Sequence, residues 1–257
     1  MILSVTPALL TAEAFASELF GTAILMLLGT GVSANLSLPR TKGQQDRGTL
    51  AASTFGWGFA VFVGVFVAFR SGAHLNPAVT IGLLVAREPF NSDAGYPIIA
   101  PTILNAIIYI AAQLIGAFIG ATIAWLVYRQ HYDLADEPEK ILGTFSTIPA
   151  IRSPFQNFLV EAVGTFVLVF WVLVSGPTPE ALGPLAVALV VIAIGLGLGG
   201  PTGWAINPAR DLGARFAHAV VPIPRKGSSD WNYAWVPVLG PLVGGALAGI
   251  IGKLWLP

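Results

Sequence analysis

Long apolar runs separated by short polar stretches set the pattern of this chain. A bilayer core of about 30 Å needs about 20 such residues per helical crossing. Six runs read as crossings, at about 12–34, 50–69, 102–128, 155–175, 182–199 and 233–255. No Lys or Arg precedes the first run, and Glu13 and Glu18 sit at and inside it, which predicts a retained span and not a cleaved signal peptide.

Two segments break the pattern. One reads Ser71-Gly72-Ala73-His74-Leu75-Asn76-Pro77-Ala78-Val79-Thr80, the other Thr202-Gly203-Trp204-Ala205-Ile206-Asn207-Pro208-Ala209-Arg210-Asp211. Each leads into an apolar run about half a crossing long, which predicts re-entry and return to the same face. Asn is a favoured helix N-cap, and Pro at the first helical position loses nothing, because that amide lacks an intrahelical partner anyway. Asn76-Pro77 and Asn207-Pro208 therefore predict half-helices over 76–86 and 207–219.

The chain also repeats itself. Glu18-Leu19-Phe20-Gly21-Thr22 returns as Glu161-Ala162-Val163-Gly164-Thr165, and Gln113-Leu114-Ile115-Gly116-Ala117 is echoed by Pro241-Leu242-Val243-Gly244-Gly245. The predicted organisation is a first repeat over 1–128, a polar linker loop over 129–154 and a second repeat over 155–257. Three crossings per repeat is odd, so the repeats face opposite ways and the two half-helices meet N-terminus to N-terminus near the midplane. The expected fold is an all-α membrane protein of six transmembrane helices and two re-entrant half-helices, an inverted-repeat bundle.

Composition agrees with lipid. Charged residues make up 10%, against roughly 25% in soluble domains. The 29 Gly and 19 Pro argue against a plain apolar bundle in water. With 0 Cys, disulfides and thiolate metal sites are excluded, and a net charge of +0 gives no basis for nucleic-acid binding. His74, His131 and His218 have no ligand-like spacing, so no metal or other cofactor is expected, and no Ser/His constellation points to an enzyme. Opposed helix N-termini, each worth about half an elementary charge, repel cations. Asparagines that cap through their oxygen keep amide hydrogens for a passing neutral solute. Arg210, inside a half-helix, has to line water and find acceptors. Glu18 and Glu161 lie within spans, where ionisable groups suggest function, but their symmetric placement argues against a proton relay. Gly116/Gly120, Gly240/Gly244 and Gly245/Gly249 have the spacing of close helix crossings. Trp125, Trp231, Trp235 and Trp255 read as interfacial anchors.

The two Asn-Pro-Ala boxes (Asn76, Pro77, Ala78 and Asn207, Pro208, Ala209), the context Ser-Gly-Ala-His-Leu-Asn-Pro-Ala-Val-Thr and the Glu-x-x-Gly-Thr repeats resemble the aquaporin and glycerol facilitator family over essentially the whole chain. The resemblance implies that Arg210 is the fixed charge of a selectivity filter whose other positions fall on Gly195 and Trp204. Gly and Trp, where water-selective members carry His and a small residue, fit a small polyol. Asp211, with Arg215 and the insertion at 222–232, matches the glycerol-conducting branch. The family's second-helix filter position, twenty before Asn76, is Gly56, whereas the aromatic of a glycerol facilitator is Trp57. Trp57 is preferred, because a deletion within Phe69-Arg70-Ser71 would leave its span intact. Glu18, Glu161 and His74 are expected as loop supports.

The resemblance further implies a passive channel for glycerol, other small neutral solutes and some water, excluding ions and protons. It implies a homotetramer in the plasma membrane with cytoplasmic termini. That orientation puts Arg40, Lys42, Arg47, Arg129, Lys140, Arg152, Arg225 and Lys226 outside, against the positive-inside rule. The alternatives are a water-selective channel, a facilitator of urea, dihydroxyacetone or an undissociated hydroxy acid, and a coupled secondary transporter.

Overall fold

Pro and small polar caps punctuate the helices where the apolar runs start and stop. The computed structural model describes residues 7–45, 50–91, 96–175 and 182–255. The helices are α1 (Pro7–Ser37), α2 (Lys42–Gln45), α3 (Leu50–Val67), α4 (Pro77–Ala86), α5 (Ile103–Val127), α6 (Arg129–Leu134), α7 (Pro138–Phe145), α8 (Pro154–Val174), α9 (Pro184–Leu198), α10 (Pro208–Val220) and α11 (Val236–Trp255). Thr102 caps α5 by accepting from the Asn105 amide, while α7, α8 and α9 each begin with Pro.

The chain is an all-α membrane bundle. Among the described residues, α1, α3, α5, α8 and α11 are long and apolar enough to cross a bilayer. The fifth predicted crossing, 182–199, is the shorter α9, whose 15 residues rise about 22 Å between Pro184 and Gly199. Its predicted start at Leu182 adjoins 176–181, which lie outside the described residues. Apolar side chains cover the outside: Phe20, Ile103, Ile107, Val127, Phe155 and Leu254 are all exposed. On a soluble protein so wide an apolar surface would drive association, whereas in lipid it is solvated.

Small residues bring the helices together. A Cβ on Gly116 or Gly120 of α5 would overlap the backbone of α1 at Leu19 or Ala23, and one on Gly244 of α11 would overlap α8 at Ala162. α5 packs along α1 and α11 along α8, while α4 lies against α11 and α10 against α5. The half-helices α4 and α10, of 10 and 13 residues, rise about 15 and 20 Å, roughly half to two thirds of a bilayer core. The second ends at Val220, one residue beyond the expected boundary.

Two expectations change. The linker is not only loop, because α6 and α7 occupy Arg129–Leu134 and Pro138–Phe145, with Ile141, Leu142 and Phe145 buried. Trp125 is not an exposed anchor: it is buried, with Arg129 Cζ 5.8 Å from its ring, whereas Trp231, Trp235 and Trp255 are exposed.

Candidate pore and its constriction

The two Asn-Pro turns do more than start helices. The Asn76 side chain accepts from the Ala78 amide at 2.9 Å, and Asn207 accepts from Ala209 and Arg210 at 3.0 and 3.1 Å. Each amide nitrogen then crosses to the opposite box, Asn76 Nδ2 donating to the Ile206 carbonyl and Asn207 Nδ2 to the Leu75 carbonyl, both at 2.8 Å. The amides expected to be free are therefore half committed. A primary amide has two hydrogens, and the second on each Asn has no partner among the described residues, while both residues line one cavity.

The loops reach this geometry through matching backbone strain. Ala73 and Leu75, three and one residues before Asn76, have φ of 52° and 53°; Trp204 and Ile206, in the same places before Asn207, have 38° and 40°. Left-handed backbone costs a non-glycine residue about 1–2 kcal/mol, so something must hold it. Glu18 accepts from the Ser71 hydroxyl at 2.6 Å, the His74 amide at 2.9 Å, the Leu75 amide at 2.7 Å and Gln113 Nε2 at 2.7 Å. Glu161 accepts from the Ala205 and Ile206 amides at 3.0 and 2.8 Å. His74 is locked between Thr80 Oγ1 at 2.9 Å and the Phe90 carbonyl at 3.0 Å.

Two cavities, of about 820 and 340 Å³, share three lining residues: Trp57, Trp204 and Arg210. The Arg210 guanidinium lies 4.0 Å from the Trp57 ring centroid, and its Nη1 donates to the Phe145 carbonyl at 3.0 Å. Cation–π contact and one acceptor satisfy part of the charge, and its other N–H groups have no acceptor among the described residues. Trp57, not Gly56, turns to the cavities; a Cβ on Gly56 would sit 2.5 Å from Val32 of α1. Gly195 lines neither cavity but backs Trp204, with a virtual Cβ 3.0 Å from Trp204 Cε2 and 2.6 Å from Thr54 Cγ2.

Residues 6–251 match the family described as major intrinsic protein. The chain belongs to that family. This major intrinsic protein is 49% identical over 237 residues to glycerol uptake facilitator protein 3 of Lactiplantibacillus plantarum, covering 91% of this chain and 93% of that one. It is 47% identical to the glycerol uptake facilitator protein of Bacillus subtilis, over 92% of this chain and 82% of the relative. The aquaglyceroporin of Plasmodium falciparum superposes with a TM-score of 0.78 at 30% identity, over 95% of this chain and 96% of that one.

In this major intrinsic protein Asp211 stands apart from the junction of the two cavities, although it follows Arg210 directly. Successive helical residues point about 100° apart. Asp211 turns away from both cavities, accepts from the Thr147 amide and hydroxyl at 2.8 Å each, and pairs with Arg215 at 2.8 Å. Arg215, fully buried, also donates to the carbonyls of Ser229, Asp230 and Thr147. Asp211 thus anchors the linker and, through Arg215, the 222–232 insertion. His218 joins the same insertion through Ser229 Oγ at 2.8 Å, and His131 meets the Pro39 carbonyl. Lys226 closes α10 by donating to the His218, Ala219 and Val221 carbonyls, favourable at a helix C-terminus, and burial lowers its pKa.

Sequence reasoning missed Ser33, Phe145 and Thr147. The i,i+4 spacing of Asp211 and Arg215 was the one available signal for part of this network.

Proposed function

We propose that this membrane channel, which is not an enzyme, conducts glycerol and related small neutral solutes down their gradients, with some water, and excludes ions and protons. The observation that carries the reading is the junction of the two cavities. One wall is the Arg210 guanidinium with uncommitted N–H groups, and the others are the Trp57 and Trp204 indoles. A polyol has hydroxyls for the first and a carbon backbone for the second, whereas an ion recovers too little of its hydration shell there. The Asn76 and Asn207 hydrogens left over from the cross-box bonds would receive solute oxygens at the midplane.

On this reading Trp57, Trp204 and Arg210 form the filter and Gly195 makes room for it. The chain comprises two inverted repeats, 1–128 and 155–257, joined by the linker 129–154. The exchanged packing of α4 on α11 and α10 on α5 supports the pairing of the repeats. The names of the relatives support glycerol as the solute. By the same resemblance the channel is a homotetramer in the plasma membrane with cytoplasmic termini, and protease-accessible terminal tags on intact cells would refute that orientation.

The test is stopped-flow light scattering of proteoliposomes given a glycerol step and, separately, an impermeant osmolyte step. Glycerol entry well above empty vesicles, with no current and no accumulation under a proton gradient, is expected. Fast water flux with glycerol entry no faster than in empty vesicles would refute the glycerol reading.

A further inference from the structure

Trp57 can serve as a filter wall only if its plane is fixed, because an indole free to turn about its side-chain torsions changes the aperture it borders. The fixing groups are on α1. A Cβ on Gly29 would overlap the six-membered ring of Trp57, so that ring lies directly on the α1 surface. One helical turn further along, Ser33 Oγ accepts the Trp57 Nε1 hydrogen at 3.0 Å. Glycine and serine, four residues apart on one helix face, hold the indole at two points, one at each ring. The Arg210 guanidinium lies 4.0 Å from the centroid of the Trp57 ring held in this way.

The second indole provides the contrast. Gly195 and Gly199, again one turn apart, back Trp204 on α9, where a Cβ at either position would press on the ring. Both positions of that seat are glycine, so it offers no side-chain acceptor, and Trp204 Nε1 has no partner among the described residues. One indole is pinned at its N–H and the other is only backed.

We infer that Ser33 is a positioning residue of the filter, setting the plane of Trp57 and, through it, the seat of the Arg210 guanidinium. The inference rests on the filter reading above and assigns to α1 a part in solute selection that its sequence does not advertise. Ser33 lines the smaller cavity, but its acceptor is committed to the indole.

Three variants separate this role from simple support: Ser33→Thr keeps the acceptor, Ser33→Val has nearly the shape of Thr without it, and Ser33→Ala removes it with the least bulk. Each is reconstituted and its glycerol and water permeabilities measured on the same vesicles. The ratio of the two is insensitive to how much folded channel is present. A buried donor left without its acceptor is a substantial penalty, so the indole is expected to leave its seat in Val and Ala, changing the glycerol-to-water ratio by about threefold or more. Thr should stay within about twofold of the parent, because its hydroxyl can still accept. Ratios unchanged in Val and Ala, or changed as much in Thr as in Val, would overturn the inference. Parent vesicles judge the underlying reading separately. If they pass water but not glycerol, the glycerol channel fails, and the seat is decided by the same comparison made with water and urea.

Discussion

Replacing Asp211 by Ala removes the counter-charge of an arginine that has no water to turn to. The Arg215 and Asp211 side chains are both 0% exposed and 2.8 Å apart. Without the carboxylate, Arg215 keeps only the Ser229, Asp230 and Thr147 carbonyls, and the Thr147 amide loses its acceptor. Breaking a buried pair from one side costs about 3–5 kcal/mol, and an unpaired buried amide about 1–3 kcal/mol more. Taking about 5 kcal/mol for the sum, and about 2–4 °C per kcal/mol for a chain of this size, the apparent Tm falls by at least about 10 °C. The assay is the loss of monodisperse protein in detergent as temperature rises. Asp211→Leu combined with Arg215→Met leaves no charge buried, so the double variant should be more stable than Asp211→Ala. A loss below about 1 kcal/mol for Asp211→Ala, or a double variant less stable than it, would refute the view that this pair holds the linker and the insertion together.

Gly195→Ala adds a Cβ 2.6 Å from Thr54 Cγ2 and 3.0 Å from Trp204 Cε2, an overpacking worth about 1–3 kcal/mol. Its relief is to push the indole into the junction, so glycerol permeability should fall further than water permeability; equal losses would contradict the backing role. Asn207→Ala removes two cap bonds and the donor to the Leu75 carbonyl, together about 2–4 kcal/mol. It should lower both the apparent Tm and solute flux, and parental thermal stability would argue that the cross-box bonds contribute nothing.

Features that depend on local chemistry were legible in the sequence. Asn76-Pro77 and Asn207-Pro208 announce capped helix starts whatever surrounds them, and both half-helices begin there. The long apolar runs located α5 to within a residue at each end, since its length is dictated by lipid rather than by neighbours. Features that depend on which way a side chain faces were not legible. Gly56 and Trp57 are adjacent, and only the fold shows Trp57 along both cavities and Gly56 turned to Val32 on α1. Asp211 follows Arg210 directly, yet one step along a helix turns it about 100° away, into contact with Thr147 and Arg215. Trp125 looked like an anchor from its place near a span end, but helices α6 and α7 follow that end, and the ring is buried with Arg129 Cζ 5.8 Å from it. Those two helices, of 6 and 8 residues, are shorter than a crossing, and the Ile141, Leu142 and Phe145 face of α7 is set within a polar stretch.

The exchanged bonds between the boxes set an order for synthesis. Asn207 follows Asn76 by 131 residues (207 minus 76), which at about 5–20 residues per second is roughly 7–26 seconds of translation. Glu18 and Gln113 belong to the part of the chain made first, so the first re-entrant loop can be braced early. The Leu75 carbonyl and the Asn76 amide cannot be completed then, because their partners, Asn207 and Ile206, have yet to leave the ribosome. Throughout that interval the nascent first loop carries polar groups at membrane depth that its own residues do not satisfy, and water or the insertion machinery has to stand in for the second box.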